Sequence, residues 1–150
     1  MPFIKIWIHT VWATKDRQPY LLKEIRQQVF QHILENSRAK GIHVDHINGH
    51  TDHIHCLVSM DADQNIATIM NLLKGESSFW INRNILTKTK FGWQDEYFAV
   101  SVSHSQIETV RKYIQNQDIH HKKKTFQQED DEFIKKYGFD KRAEALCNML

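Results

Sequence analysis

The hydrophobic positions of this chain switch between a period of two and a period near 3.6, and the switches mark its elements. "FIKIWIHTVWAT" (3–14) is rich in β-branched and aromatic residues, carries no breaker and predicts a strand. "KDRQPY" is a turn. "LLKEIRQQVFQHILENSRAKG" sets Leu22, Ile25, Val29, Ile33 and Leu34 at helical spacing and stops at Gly41. "IHVDHINGH" (42–50) returns to strand alternation, "HTD" turns, and "HIHCLVSM" is a further strand, so the two form a hairpin. "NIATIMNLLKGESSFWINRNIL" (65–86) is a second helix, capped by Asn65 and weakened at Gly75. A loop leads to "YFAVSVS" (97–103), a fourth strand. Ser105 followed by Glu108 reads as a capping box that opens a third helix. "TFQQEDDEFIKKYGF" reads as a short terminal helix ending at Gly138.

The order β-α-β-β-α-β-α predicts an α+β fold. It is the ferredoxin-like split βαβ, with a central antiparallel sheet, helices on one face and an added C-terminal helix. No repeat or low-complexity linker interrupts it. Residues 1–150 are expected to form one domain, with about 125–150 as a helical extension.

Composition narrows the class. Apolar residues at 41% and charged residues at 25% suit a soluble globular protein, and no stretch reaches the ~20 apolar residues of a membrane span. The apolar start is broken by Lys5 and His9 and lacks a basic leader and a cleavage site, so it is expected to be a mature strand of a cytoplasmic protein. Cys56 and Cys147 make neither a disulfide framework nor a zinc pattern. The net charge is only +2, but its distribution is uneven. "RKYIQNQDIHHKKK" (111–124) carries five Lys/Arg against one Asp, and "QQEDDE" (127–132) follows with four acids. Such a basic patch suits a phosphate backbone, and equally a solvated helix end.

The candidate chemistry begins with His53 and His55. At i and i+2 of a strand they share one face, while Ile54 and Cys56 point to the other, into the core. Two imidazoles side by side are half of a metal site, or simply a polar outer face. A histidine-triad hydrolase needs a third histidine at position 57, which is Leu57. A two-histidine phosphoesterase needs His-x-Ser/Thr twice, and a zincin needs His-Glu-x-x-His; neither pattern is present. A two-histidine metal site short of at least one ligand survives. On the third helix, Val110, Tyr113, Ile114 and Gln117 form one stripe. A helix packed over the histidine face would offer Gln117 as a neutral oxygen ligand and Tyr113 as a nucleophile. Tyr113 could equally be an amphipathic residue at a helix–sheet interface.

Taken together, these segments resemble the HUH (His–hydrophobe–His) single-tyrosine transposases of the insertion-sequence 200/605 class, which include the REP-associated tyrosine transposases. The resemblance runs through "HTVWATKDRQPYL" (9–21), "GHTDHIHCLVSM", "LLKGESSFWINR" (72–83), "GWQDEYFAVSVS" (92–103) and "VRKYIQNQDIHHKKKTFQQE" (110–129). One difference is Asp16, in a turn where the family often has an aromatic. The resemblance implies that His53, His55 and Gln117 hold Mg²⁺ or Mn²⁺ and that Tyr113 is the nucleophile. It implies cleavage and rejoining of hairpin-bearing single-stranded DNA through a 5′-phosphotyrosine, without a nucleotide cofactor. It also implies a homodimer, in which some members set the tyrosine helix against the partner's site.

The cation, Lys112 or Arg111 beside Tyr113 would favour its phenolate. Lys74, Arg83, Lys88, Lys90, Lys122, Lys123 and Lys124 are candidates, with Arg111 and Lys112, for phosphate contacts. Trp80, Phe91 and Trp93 are candidates for base stacking, against ordinary core packing. His120 and His121 read as surface residues. Two rival functions stay open: a silent hairpin DNA- or RNA-binding module descended from such an enzyme, and a metal-dependent nuclease that uses water.

Overall fold

The computed structural model describes residues 3–117 and 128. The chain runs β1 (Ile6–Ala13), α1 (Lys23–Ala39), β2 (His43–Gly49), β3 (His53–Met60), α2 (Ile66–Arg83), β4 (Phe98–Val102) and α3 (Ile107–Gln115). The order is the expected one. The strands lie β2-β3-β1-β4 and every neighbouring pair is antiparallel. The expected terminal helix and extension at 125–150 lie, apart from Gln128, outside the described residues.

Alternation along the central strands builds two cores. Trp12, Ile54, Cys56 and Val58 face α1 and α2, where Val29, Phe30, Ile33, Ile69, Met70 and Leu73 close the larger core. The opposite face carries Leu57 and Val102, which pack against Ile107, Val110 and Ile114 of α3. Thus α1 and α2 share one face, and α3 covers the other. Because Leu57 is two residues beyond His55, the face that receives α3 is the histidine face.

Local chemistry sets the element ends. Asn65 Oδ1 accepts from the Thr68 amide at 2.9 Å, the expected cap of α2. At the end of α1, Gly41 has φ +74°, its amide donates to Arg38 O, and Ile42 N donates to Ser37 O. This is a Schellman stop, and the left-handed φ is why a glycine stands there. The buried stripe of α1 is Arg26, Val29, Phe30, Ile33 and Ser37, while Leu22 is exposed as the residue preceding the helix. The expected capping box at Ser105 does not form. Ser105 lies inside a 3-10 turn (His104–Gln106), and the Glu108 carboxylate is taken by Arg111 instead. A nearby guanidinium is a stronger partner for a carboxylate than a backbone amide.

Candidate active site

The site sits where α3 crosses β3. His53 and His55 project from the same face of β3, and both are essentially buried, 0% and 1% exposed. The register sets Ala13 opposite His53 and Val11 opposite His55. These small neighbours on β1 leave room above them for imidazoles and an overlying helix. Gly49, at the end of β2, passes so close to His53 that an added Cβ would lie 2.2 Å from its carbonyl oxygen.

The helix brings its two candidates to the pair. The Tyr113 ring stands edge-on to His55, centroids 5.6 Å apart. Gln117 lies just past the end of α3, beyond the turn at Asn116, and is buried. Its Oε1 is 3.3 Å from His53 Nε2, and its own NH₂ group donates to Tyr113 O at 3.3 Å. Of these four side chains only Tyr113 keeps exposed surface.

Two partners orient the histidines, and the sequence pattern passes over both. His53 Nδ1–H donates to Asp52 Oδ1 at 2.8 Å. A doubly protonated His53 would donate from Nε2 to the Gln117 oxygen as well; with Nδ1 alone protonated, Nε2 presents a lone pair to it. His9 is the second partner: its Nε2 and His55 Nδ1 are 3.0 Å apart, and His9 is 2% exposed. The signal for His9 was a polar residue inside an apolar strand, since a buried imidazole needs a partner. Among the described residues no three His, Cys, Asp or Glu side chains form a metal cluster; the expected ligands that the fold brings together are two imidazoles and one carboxamide.

The basic candidates divide. Arg111 Nε and Nη2 donate to the two carboxylate oxygens of Asp45, each at 2.8 Å, and its guanidinium lies over Trp7. Lys74 Nζ donates to the carbonyls of Gln94 and Asp95 at 2.6 and 2.7 Å, so it ties a loop to α2. Burial lowers the Lys74 pKa below the ordinary lysine value, with Asp95 and Glu96 opposing. Arg83, Lys88, Lys90 and Lys112 are exposed. The loop that carries Lys88 and Lys90 rejoins the sheet at Trp93, which bridges Thr14, one residue past the β1 partner of His53. Lys122, Lys123 and Lys124, with His120 and His121, lie outside the described residues. Phe91 and Trp93 are buried in the larger core, and Trp80 stacks on His32. Phe91 and Trp93 therefore pack inside the fold, while Trp80 is partly buried against its edge.

The frame is an antiparallel split βαβ sheet with a His-x-His strand under a tyrosine-bearing helix. The family described as "Transposase IS200 like" matches residues 3–117, and the chain belongs to that family. The ISDra2 transposase TnpA of Deinococcus radiodurans is 25% identical over 114 residues, covering 73% of this chain and 81% of that protein. Two solved structures share the fold. A Deinococcus radiodurans chain assigned as a transposase superposes with a TM-score of 0.63 at 22% identity, over 77% of this chain and 93% of its own. A REP-associated tyrosine transposase bound to a REP hairpin gives 0.61 at 14% identity, over 81% and 72%. Among the described residues no helix is long and apolar enough to cross a membrane.

Proposed function

We propose that this transposase-family protein cuts and rejoins hairpin-bearing single-stranded DNA, with Tyr113 as nucleophile and His53, His55 and Gln117 as ligands of Mg²⁺ or Mn²⁺. The observation that carries the reading is that one helix end delivers both a phenol and an amide oxygen to the histidine pair, Tyr113 at 5.6 Å ring to ring and Gln117 Oε1 at 3.3 Å. Mixed nitrogen and oxygen donors, completed by phosphate oxygens, suit either cation. When bound, the cation supplies polarisation of the scissile phosphate and offsets its developing charge.

The chain's own residues do the rest. The Tyr113 oxygen attacks phosphorus, the bond to the 3′ oxygen breaks, and that oxygen leaves as a 3′-OH once protonated. The 5′-phosphate stays on Tyr113, so the energy of the phosphodiester is kept. A second 3′-OH then attacks the same phosphorus and Tyr113 departs, regaining its proton. Catalysis is chiefly positioning, and α3 supplies it. A phenol with a reference pKa near 10 is a weak nucleophile at neutral pH. Lys112, exposed one residue before Tyr113, remains available to favour the phenolate, whereas Arg111 is held by Asp45 and Glu108. The homodimer that the family resemblance implies is part of this reading.

The test is a covalent-adduct assay. Protein is mixed with hairpin-bearing single-stranded DNA and Mg²⁺ or Mn²⁺, denatured and weighed, with Tyr113→Phe in parallel. An adduct mapping to Tyr113 and lost in the variant is the expected result. Binding without an adduct would favour the silent module, and cleavage that survives Tyr113→Phe would leave a water-dependent nuclease.

A further inference from the structure

His9 takes no part in the reaction as written, yet it is buried against its centre. β1 and β3 pair with Val11 opposite His55 and His9 opposite Leu57, so His9 and His55 are diagonal neighbours on one face. Diagonal neighbours of this kind are within reach of a ring. His9 Nε2 and His55 Nδ1 stand 3.0 Å apart, with ring centroids at 5.2 Å and planes tilted by 32°. The Tyr113 ring is 6.1 Å away, edge-on.

Resting on the metal-site reading above, we infer that His9 is a positioning residue that locks His55 in the tautomer able to ligate through Nε2. One proton joins the two rings. If His55 Nδ1–H donates to His9 Nε2, then His55 Nε2 carries a lone pair and is a ligand. If His9 donates instead, the proton of neutral His55 sits on Nε2, and that atom cannot bind a cation. The contact and ligation therefore select the same arrangement, and each strengthens the other. His53 is served in the same way by Asp52, a carboxylate. His9 differs in being a neutral acceptor. It orients a ligand without adding a second negative charge where an anionic phosphodiester must approach, and a carboxylate at position 9 would add one.

The test uses the full-length protein and Mn²⁺ alone, without DNA. Calorimetric Mn²⁺ affinity is measured for wild type, His9→Phe, His9→Gln and His55→Ala, with thermal melts as folding controls. Nitrogen-15 spectra of the imidazoles report the His55 tautomer in the metal-free protein. The expected result is a loss of about 10–100-fold in affinity for His9→Phe, the range for removal of an outer-shell partner. His9→Gln, whose amide oxygen can accept the same proton, restores most of the affinity. His55 is expected to carry its proton on Nδ1 in wild type and to lose that preference in His9→Phe. A loss in His55→Ala with none in folded His9→Phe overturns the role of His9 and leaves the metal site standing. A loss in neither variant overturns both. Should His9→Phe fail to fold, His9→Ala takes its place: a loss of affinity and of the Nδ1 preference, both recovered in His9→Gln, supports the role, and an unchanged affinity and tautomer in His9→Ala overturns it.

Discussion

Arg111 of α3 grips Asp45 of β2 with two parallel hydrogen bonds, Nε to Oδ2 and Nη2 to Oδ1, each 2.8 Å long. The clamp extends to either side. Gln115 Nε2–H donates to His46 Nε2 at 2.8 Å, and Asn48 Nδ2–H donates to Gln115 O at 3.1 Å. The helix that carries Tyr113 is thus pinned along the β2 edge by polar contacts and held below by the apolar contact of Ile107, Val110 and Ile114 with Leu57. A bidentate guanidinium–carboxylate pair fixes orientation as well as distance.

Replacing Asp45 by Ala should therefore act on chemistry more than on binding. Loss of the clamp lets α3 shift, and a misplacement of about 1 Å can cost ~10²-fold in rate. Single-turnover cleavage should fall by about that factor, while hairpin affinity changes little. An equal loss in both measurements would mean that Asp45 matters to the fold at large.

The clamp also has a direction in pH. Burial alone would raise the Asp45 carboxyl, but the hydrogen bonds and charges of Arg111 and His46 outweigh it and hold its pKa below the usual carboxylate value. A depressed folded pKa contributes stability at pH above the unfolded value, and loses it as pH falls through the folded one. The Asp45 contribution to α3 docking should thus be complete at neutral pH and vanish only below ~3.9, the reference Asp value. Hydrogen exchange of α3 amides across that range, in wild type and Asp45→Asn, would check it. A wild-type loosening already complete at pH 6 would contradict this assignment.

Asp52 should behave as a support for His53. Without the carboxylate that accepts its Nδ1 proton, the ring loses its orientation, and Mn²⁺ affinity in Asp52→Ala should drop about 10–100-fold. Asp52→Asn, which retains a side-chain oxygen, should recover most of it. Equal affinities in Asp52→Ala and wild type would remove Asp52 from the site.

At Gly49 the obstacle is space. An added Cβ would meet His53 O at 2.2 Å and Ile54 Cα at 3.0 Å, and both are backbone. Gly49→Ala must push β2 from β3, at a cost of about 1–3 kcal/mol for overpacking. The melt should move down and Mn²⁺ affinity should fall with it, because the displaced residue is His53 itself. An unchanged melt would show that the hairpin yields more easily than its backbone contacts suggest.

The basic residues should separate by salt. Lys88→Ala and Lys90→Ala should each lessen the dependence of log affinity on log salt by about 0.7, as for one phosphate contact to a single strand. Lys74→Met should leave that slope alone and lower thermal stability, since its ammonium is spent on Gln94 O and Asp95 O. A slope change for Lys74→Met and none for the other two would reverse the assignment.

Periodicity was enough for much of this molecule. A strand's period of two already puts His53 and His55 on one face and Ile54 on the other, and helical spacing already aligns Tyr113 with Gln117. These are local relationships, set by backbone geometry within a few residues, and the element order follows from the same reading. The partners of those residues are not local. His9 is 46 residues from His55, and Arg111 is 66 from Asp45. Whether they meet depends on strand register and on which face receives α3. Register is decided by the burial of whole strand faces at once, Trp12, Ile54 and Val58 on one side and Leu57 and Val102 on the other. The expected capping box was lost for a local reason instead, because Glu108 pairs with Arg111 one turn along the same helix. Sequence by itself determined which side chains share a face; only tertiary structure decided which faces meet, because long-range packing sets the register on which every cross-strand contact depends.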